Sequence, residues 1–393
     1  MNDPVIVGHA RTPIGKLMGG YATLSAMQLG GKAITAALER SGVSADQVDQ
    51  VLMGHVVQAG QGQITARQAA LEGGIGMEVP ATTINKVCLS GTSAVALAHQ
   101  LIQLGEADVI VAGGMESMTG GPYLLPKARA GYRMGHAKLI DATVHDGLWC
   151  SLDDEHMGSG ADRMNAKYGI SRERQDEWAV RSHQRAAQAW KNGNFDEETV
   201  AVEVPQRRGD PLVVDQDEGI RPDSTVDGMS KLRPAFSGDG TVTAGNASQV
   251  SDGAAAVVLT SRAKADELGL QPLAHIVAYG TVAGPDPSLH HQPAEAIRRA
   301  ASKIDVDPAG FDVYEINEAF AAVAIHSTDL LGVDEEKVNP NGGAVALGHP
   351  IGCTGARLVG TTVLELGRRG GGRGVASLCG GGGQGDALII ETL

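Results

Sequence analysis

Cys88 is the residue in this chain whose type and surroundings best suit nucleophilic chemistry. It lies in the segment Asn85-Lys86-Val87-Cys88-Leu89-Ser90-Gly91, directly before a run of small residues with helical period. A cysteine at a helix N-terminus faces free backbone N–H groups, which lower the pKa of the thiol and favour the nucleophilic thiolate. A lone cysteine is more often a buried small hydrophobe. The polar neighbours Asn85, Lys86 and Ser90 argue against that alternative here.

Two further residues could complete acyl chemistry with Cys88. His349 lies in the glycine-rich segment 342–350, where the backbone can approach a ligand closely, and a structural histidine is the alternative. Cys379 precedes Gly380-Gly381-Gly382-Gly383-Gln384-Gly385, whose N–H groups could hold an oxyanion. One thiol as nucleophile and another as acid and base would suit reversible acyl transfer, because perturbed thiol pKa values lie near neutrality.

Asn317 is a fourth candidate. It begins the segment Asn317-Glu318-Ala319-Phe320, where a predicted strand, Val313 to Ile316, meets a helix. An asparagine at such a junction either faces a ligand or caps the helix, and the local sequence leaves both interpretations open.

Nucleotide and metal motifs fail on their context. Gly380 to Gly385 matches G-x-G-x-x-G, but only eight residues follow, too few for the helix and strand of a dinucleotide site. Gly15-Lys16 lacks the other residues of a phosphate loop. His290-His291 and Asp153 to His156 lack metal-ligand spacing, so both predict solvated loops. We therefore expect no metal and no cofactor.

The elements that must position these residues predict an α/β fold. Short apolar runs alternate with helical segments from residue 1 to about 118, and this texture returns after about 271. Residues 119–249 are charged and irregular, contain all three tryptophans, and hold one clear helix, capped by Ser171 and ended at Asn192-Gly193. The predicted domains are 1–118 plus 250–270, an inserted lobe at 119–249, and 271–393.

A faint internal repeat relates the two α/β halves. Ile110 to Gly114 is an apolar strand that ends on paired glycines, as is Ala376 to Gly381. Upstream of each lies a glycine-containing turn that opens a helix of small residues, at 88–94 and at 349–355. We therefore expect Cys88 and His349 at matching helix N-termini that meet, with the Cys379 turn, in one cleft.

Composition excludes several classes of function. The 46 acidic residues outnumber the 32 Lys and Arg, for a net charge of −14, which disfavours nucleic acids and anionic membranes as partners. There is no uninterrupted apolar run of about 18 residues and no signal-peptide pattern. Four cysteines are too few for a disulfide scaffold in 393 residues. We expect a globular protein of the cytoplasm.

These residues together resemble the thiolase family, in its biosynthetic acetyl-CoA acetyltransferase branch, over essentially the full chain. The resemblance implies duplicated α/β halves in a layered αβαβα arrangement, with an inserted loop domain for coenzyme A (CoA) binding and tetramerisation. It rests on four blocks that occur in the family's order: Asn85 to Gly91, Asn317 to Phe320, Gly342 to Gly352, and Cys379 to Gly385.

The resemblance implies a reversible Claisen condensation of two acetyl-CoA to acetoacetyl-CoA and CoA, through an acetyl-cysteine. Cys88 would be the nucleophile, and Cys379 would remove the α-proton of the second acetyl-CoA. His349 and a water held by Asn317 would stabilise the enolate. The backbone N–H groups of Cys88 and Gly381 would form a second oxyanion hole. The CoA thioesters are substrates, so no separate cofactor is implied.

The family also implies substrate contacts and an assembly. His156 and Met157 match the pantetheine and acyl channel, and the remaining implied contacts are Arg221 at the adenine end, Ala244 and Ser248 along pantetheine, and Phe320. Lys231 and Arg233 would add positive charge for the polyanionic substrate. The segment Gly131 to Gly147 resembles the tetramerisation loop, which implies a homotetramer built as a dimer of dimers.

Departures from the family pattern keep alternatives open. Leu89 replaces a common Ser, the run 159–163 differs, and the segment 283–293 is several residues longer than usual. A degradative 3-ketoacyl-CoA thiolase for longer chains is one alternative, against which His156-Met157 argues. A decarboxylating ketosynthase would lack a second catalytic thiol. A non-catalytic acyl-CoA-binding relative would be expected to have lost Cys88, His349 or Cys379, and all three are present.

Overall fold

The computed structural model describes residues 2–393. Residues 2–118 form the first α/β unit, whose inner strands are buried and whose edge strand is partly exposed. Its elements are β1 (Pro4–Arg11), β2 (Gly15–Lys16), α1 (Ala26–Ser41), β3 (Gln50–Gly54), α2 (Thr65–Glu72), β4 (Ala81–Ile84), α3 (Ser90–Leu104) and β5 (Val109–Ser117).

The chain then leaves the main sheet until residue 250. A π-helix covers Thr143–Leu148. The other elements are β6 (Tyr123–Leu124), β7 (Ile140–Asp141), β8 (Trp149–Cys150), β9 (Glu155–His156), α4 (Met157–Tyr168), α5 (Arg172–Lys191), β10 (Val202–Val204), β11 (Leu212–Val214) and α6 (Val226–Ser230). Helix α5 has the predicted cap, since the Ser171 side chain accepts from the Arg174 N–H. Helix α4 escaped prediction because Gly158 and Gly160 interrupt its helical pattern.

The remaining residues complete the first unit and build the second. Strand β12 returns to the first unit, beside β1 and β5. The elements are β12 (Ser251–Ser261), α7 (Arg262–Leu268), β13 (Ala274–Ala283), α8 (Gln292–Ala301), β14 (Val313–Ile316), α9 (Ala321–Leu331), α10 (Ala344–Leu347), α11 (Thr354–Arg368), β15 (Arg373–Gly380) and β16 (Gln384–Thr392).

The two units repeat one topology. In the first, β3 pairs parallel with β5, which runs antiparallel to β12, which runs antiparallel to β1. In the second, β14 pairs parallel with β15, which runs antiparallel to β16, which runs antiparallel to β13. Two residue pairs between β1 and β13 join the sheets into one path. The predicted duplication is confirmed, and β5 and β15 are the strands that revealed it in sequence.

Alternating side chains place each sheet between two helical layers. On β12, Ala256 and Val258 face α1 and α2, whereas Ala255 and Val257 face the central helices α3 and α11. Because both faces are buried, these strands read as continuous apolar runs. Helices α8 and α9 cover the far face of the second sheet. The layers are therefore αβαβα, as the sequence led us to expect.

The central helices cross at their first turns, and small residues make the crossing possible. A Cβ atom on Gly91 would lie 2.8 Å from the backbone nitrogen of Ala356. By length and composition alone, the window Val87–Leu104 could cross a membrane. Here α3 packs between the sheets against α11, so burial within the protein accounts for its apolar composition.

Candidate active site

Cys88 follows a residue with an unusual backbone. Val87 has φ of 51°, in the left-handed region, where a β-branched residue is strained. Side chains clamp the turn on both sides. The Val87 N–H donates to Asn85 Oδ1 at 3.0 Å, and the Ser90 hydroxyl donates to the Val87 carbonyl oxygen at 2.6 Å. The half-buried Cys88 therefore has a fixed direction toward the site.

The Cys88 thiol is neutral at rest, contrary to the expectation of a lowered pKa. Burial raises the pKa of Cys88 to about 11. The backbone N–H groups of Gly381 and of Cys88 itself lower that pKa in part, so the predicted donors are present but do not dominate. In this setting the nucleophile needs a neighbouring base.

His349 lines the same cavity as Cys88 and is placed to be that base. Burial lowers the pKa of His349 to about 3, so its imidazole is neutral. Its Nδ1 lies 2.6 Å from Thr354 Oγ1, and the Thr354 hydroxyl already donates to the Pro350 carbonyl oxygen at 3.0 Å. This network assigns the proton to Nδ1 and leaves Nε2 unprotonated, where it can act as an acceptor. His349 lies five residues before α11, whereas Cys88 lies two before α3, so their positions match less closely than predicted.

Asn317 faces His349 and does not cap a helix. Its Nδ2 lies 3.4 Å from His349 Nε2, and helix α9 begins only at Ala321, with Phe320 in the capping position. The capping alternative is therefore wrong. Asn317 is fully buried, and its Oδ1 has no hydrogen-bond partner within the described residues. A buried amide oxygen of this kind is suited to hold a water molecule.

Cys379 is the last residue but one of β15, before a hairpin whose turn only glycines readily form. Gly382 and Gly383 have φ of 79° and 68°, and β16 begins at Gln384. Burial and the neighbouring Cys88 raise the pKa of Cys379 well above its ordinary value. Cys379 packs in an apolar cluster with Leu289 and Phe320. The fold thus brings both thiols, His349 and Asn317 together.

A cavity of about 50 Å³ opens onto the nucleophile. It is lined by Val87, Cys88, Gly147, Leu148, Met157, Ser248, Leu289, Ala319, Phe320, His349, Ile351 and Gly381. An adjoining cavity of about 550 Å³ shares Val87, Gly147, Met157 and Gly381 with it. The small cavity suits a small acyl group, and the larger one leads away from the thiol.

The other predicted contacts are spread outward from this cavity. His156 caps α4 and stacks on Phe236, with ring centroids 4.6 Å apart. Arg221 and Ala244 are exposed and do not line the cavity. Lys231 and Arg233 are also exposed, and Lys231 pairs with Asp227.

Several residues near the site carried misleading or weak signals. Leu89 is buried in the core, where it packs so closely on Gly380 that a Cβ atom there would lie 2.6 Å from its Cγ. It does not line the cavity. The sequence predicts a solvated loop at His290, and this prediction is wrong: the residue is fully buried, and Asn165 Oδ1 accepts from its Nε2 at 2.8 Å. Thr354 and Leu289 escaped prediction, although the His349 to Thr354 spacing of five residues was visible.

Comparison with known proteins gives consistent matches over the whole chain. Residues 4–263 match the family model described as "Thiolase, N-terminal domain", and residues 270–392 match "Thiolase, C-terminal domain". A probable acetyl-CoA acetyltransferase of Mycolicibacterium smegmatis is 55% identical, covering 98% of this chain and 100% of that protein. The acetyl-CoA acetyltransferase of Cupriavidus necator is 52% identical, covering 100% of both chains.

A solved structure also matches this fold over the whole chain. The crystal structure of the Bacillus anthracis acetyl-CoA acetyltransferase superimposes with a TM-score of 0.97 at 43% identity, covering 100% of this chain and 99% of that one.

Proposed function

This chain belongs to the thiolase family, and we propose that it is an acetyl-CoA C-acetyltransferase whose reaction is carried by Cys88, His349, Cys379 and Asn317. It is an acyltransferase with acetyl-CoA as substrate. The observation that carries the residue assignment is the opening of Cys88 onto a small cavity that His349 and Gly381 also line.

Acyl transfer begins with proton movement from Cys88 to His349. The unprotonated Nε2 of His349 takes the thiol proton, and the thiolate attacks the carbonyl carbon of acetyl-CoA. The backbone N–H groups of Cys88 and Gly381 stabilise the oxyanion of the tetrahedral intermediate. The C–S bond to CoA then breaks, and CoA leaves as a thiol with the proton of Cys379. The products are acetyl-Cys88, a Cys379 thiolate and a His349 imidazolium.

Condensation returns both protons. The Cys379 thiolate removes a proton from the methyl group of a second acetyl-CoA. The His349 Nε2–H and a water held by Asn317 Oδ1 donate to the enolate oxygen. The carbanion attacks the acetyl carbon, and the bond to Cys88 breaks. Acetoacetyl-CoA forms, His349 returns its proton to the Cys88 sulfur, and all three groups regain their resting states.

Assembly and substrate contacts belong to the same proposal. The segment around Gly131 to Gly147 exposes large apolar side chains at Tyr132, Met134 and Leu139, which supports a homotetramer. The exposed Arg221, Lys231 and Arg233 lie outside the cavity, and we assign them to the phosphate and adenine end of CoA. The inferred compartment is the cytoplasm.

Thiolysis tests the proposed function. We expect the wild-type enzyme to cleave acetoacetyl-CoA with CoA. Cleavage is measured as the loss of the absorbance of the acetoacetyl-CoA enolate. The kcat of Cys88→Ala should be lower by at least about 1,000-fold. Cys150→Ala is the matched control, because this thiol lines only the adjoining cavity and not the small one beside Cys88, so kcat should stay within about 2-fold. Wild-type enzyme without cleavage of acetoacetyl-CoA would refute the proposal.

A further inference from the structure

The segment 283–291 sends one side chain into the catalytic cavity. Leu289 is 7% exposed and lines the cavity beside Met157 and Phe320. It also packs in the apolar cluster that contains Cys379. Leu289 therefore stands where the acyl groups of both substrates must meet, and its position limits the length of chain that the cavity accepts.

The ends of this segment are tied to neighbouring backbone. The Gly284 N–H donates to the Gly383 carbonyl oxygen at 2.8 Å, and Gln292 Nε2 donates to the Gly284 carbonyl oxygen at 2.9 Å. Asp286 Oδ1 accepts from the Ser288 N–H at 3.0 Å. The first bond ties the loop to the glycine turn after Cys379, and the other two close the loop upon itself. None of them connects Leu289 to the helix that carries Met157.

His290 makes that connection. It is fully buried, and its Nε2 lies 2.8 Å from Asn165 Oδ1. Asn165 Nδ2 donates to Gln175 Oε1 at 3.1 Å and to Thr241 Oγ1 at 2.9 Å, so the Asn165 oxygen is free to accept. The network therefore assigns the proton of His290 to Nε2. Burial lowers the pKa of His290 to about 3, and the ring stays a neutral single donor.

Asn165 belongs to the helix that carries Met157, the residue beside Leu289 in the cavity lining. Helix α4 begins at Met157, and Asn165 lies about two turns later on it. A second bond fixes the backbone of the loop, because the Ser327 hydroxyl donates to the His290 carbonyl oxygen at 2.9 Å. One histidine thus connects the residue after Leu289 to the helix that presents Met157.

We propose that His290 is a positioning residue which, through Asn165, holds Leu289 against Met157 and restricts the enzyme to acetyl and acetoacetyl substrates. The proposal rests on the proposed thiolase function and adds its substrate range. A single methylene group in a well-fitted apolar pocket changes kcat/KM by about 10-fold or more. A Leu289 side chain held in a fixed position excludes a longer acyl chain and lowers kcat/KM for it, whereas a mobile Leu289 moves aside for the longer acyl chain.

The test compares two substrates on one enzyme sample. kcat/KM is measured for thiolysis of acetoacetyl-CoA and of 3-oxohexanoyl-CoA in the wild type and in His290→Ala, Asn165→Ala and His290→Gln. The ratio of the two values cancels the fraction of active enzyme, so a merely structural loss leaves it unchanged. His326→Ala is the matched control, since this histidine packs edge-on against His290 and stacks on Tyr168, but makes no hydrogen bond to Asn165 and does not line the cavity.

We expect the wild-type ratio to favour acetoacetyl-CoA and to fall about 10-fold in both alanine variants. His290→Gln should retain it, because the glutamine Nε2–H can donate in place of the imidazole. Leu289→Ala removes the wall itself and should lower the ratio even where His290→Ala does not fold. An unchanged ratio in Leu289→Ala or Asn165→Ala overturns the proposal. Wild-type enzyme inactive on both substrates would instead refute the thiolase function.

Discussion

At the scale of single residues, the chemistry depends on which nitrogen of His349 carries the proton. Burial keeps this imidazole neutral, and its Nδ1–H donates to Thr354 Oγ1, with 2.6 Å between the nitrogen and the oxygen. The same oxygen stabilises the imidazolium that forms when Cys88 loses its proton. Thr354 therefore orients the base and supports its charged form without touching the substrate.

Replacing that hydroxyl should slow the reaction selectively. Thr354→Val keeps the shape of the side chain and removes the acceptor, so we expect kcat for thiolysis to fall about 10-fold to 100-fold, the worth of one hydrogen bond to a charged group. KM for acetoacetyl-CoA should change little. Thr354→Ser restores the oxygen and should recover most of kcat. Equal rates in the Val and Ser variants would contradict the assigned tautomer.

Residue types were easier to predict than residue environments. Glycine-rich neighbours mark three candidates in the sequence, Cys88, His349 and Cys379, and the structure brings them together as expected. The raised pKa of the Cys88 thiol was not predictable, because it comes from burial by residues distant in sequence. His290 looked solvated among Ser and Asp neighbours, and its burial depends on Asn165, 125 residues away.

At the scale of elements, the crossing of α3 and α11 brings the nucleophile and the base together. Each helix starts in the same layer, and Gly91 lets the α3 backbone approach Ala356 of α11. The sequence repeat predicted two equivalent helices, and it did not predict that their first turns touch. That contact explains why small residues occupy both starts.

A methyl group at the crossing should therefore separate the two catalytic turns. We expect Gly91→Ala to lower the free energy of unfolding by about 2 kcal/mol, since its Cβ would lie 2.8 Å from a backbone nitrogen, and to lower kcat as well. Gly367→Ala in α11 is the control, because no atom lies within 4 Å of its Cβ position and helix propensity favours alanine there. Equal thermal stability of the two variants would contradict this account of the crossing.

At the scale of the whole molecule, buried titratable groups govern stability against pH. Burial lowers the pKa of five histidines to between about 3 and about 4: His9, His55, His183, His290 and His349. Between about pH 4 and pH 6.5 these rings are neutral in the folded chain, whereas the histidines of the unfolded chain bind protons. Burial raises the pKa of Glu116 to about 7 and of Glu315 to about 8, so these two carboxyls act in the opposite direction.

Because the histidines outnumber the two carboxyls, acid should destabilise the fold. We expect the free energy of unfolding in urea to fall as the pH decreases from 6.5 to 5, at about 1.4 kcal/mol per pH unit for each net proton bound on unfolding. His9, whose two ring nitrogens have no hydrogen-bond partner among residues 2–393, lies away from the catalytic cavity. His9→Leu should reduce that slope by about 1.4 kcal/mol per pH unit, the contribution of one proton. An unchanged slope would contradict the buried, neutral state of this ring.

Cys88 acts as the nucleophile and Cys379 as the base, and mass spectrometry of the intact protein tests this assignment most directly. The wild type, Cys88→Ala and Cys379→Ala are each mixed with acetyl-CoA and quenched in acid. Cys379→Ala should gain one acetyl group, located on Cys88 by peptide mapping, and form no acetoacetyl-CoA, because the thiolate that removes the α-proton is missing. Cys88→Ala should gain none. Acetoacetyl-CoA formed by Cys379→Ala at the wild-type rate, or a stable acetyl group on Cys379 in Cys88→Ala, would contradict the assignment.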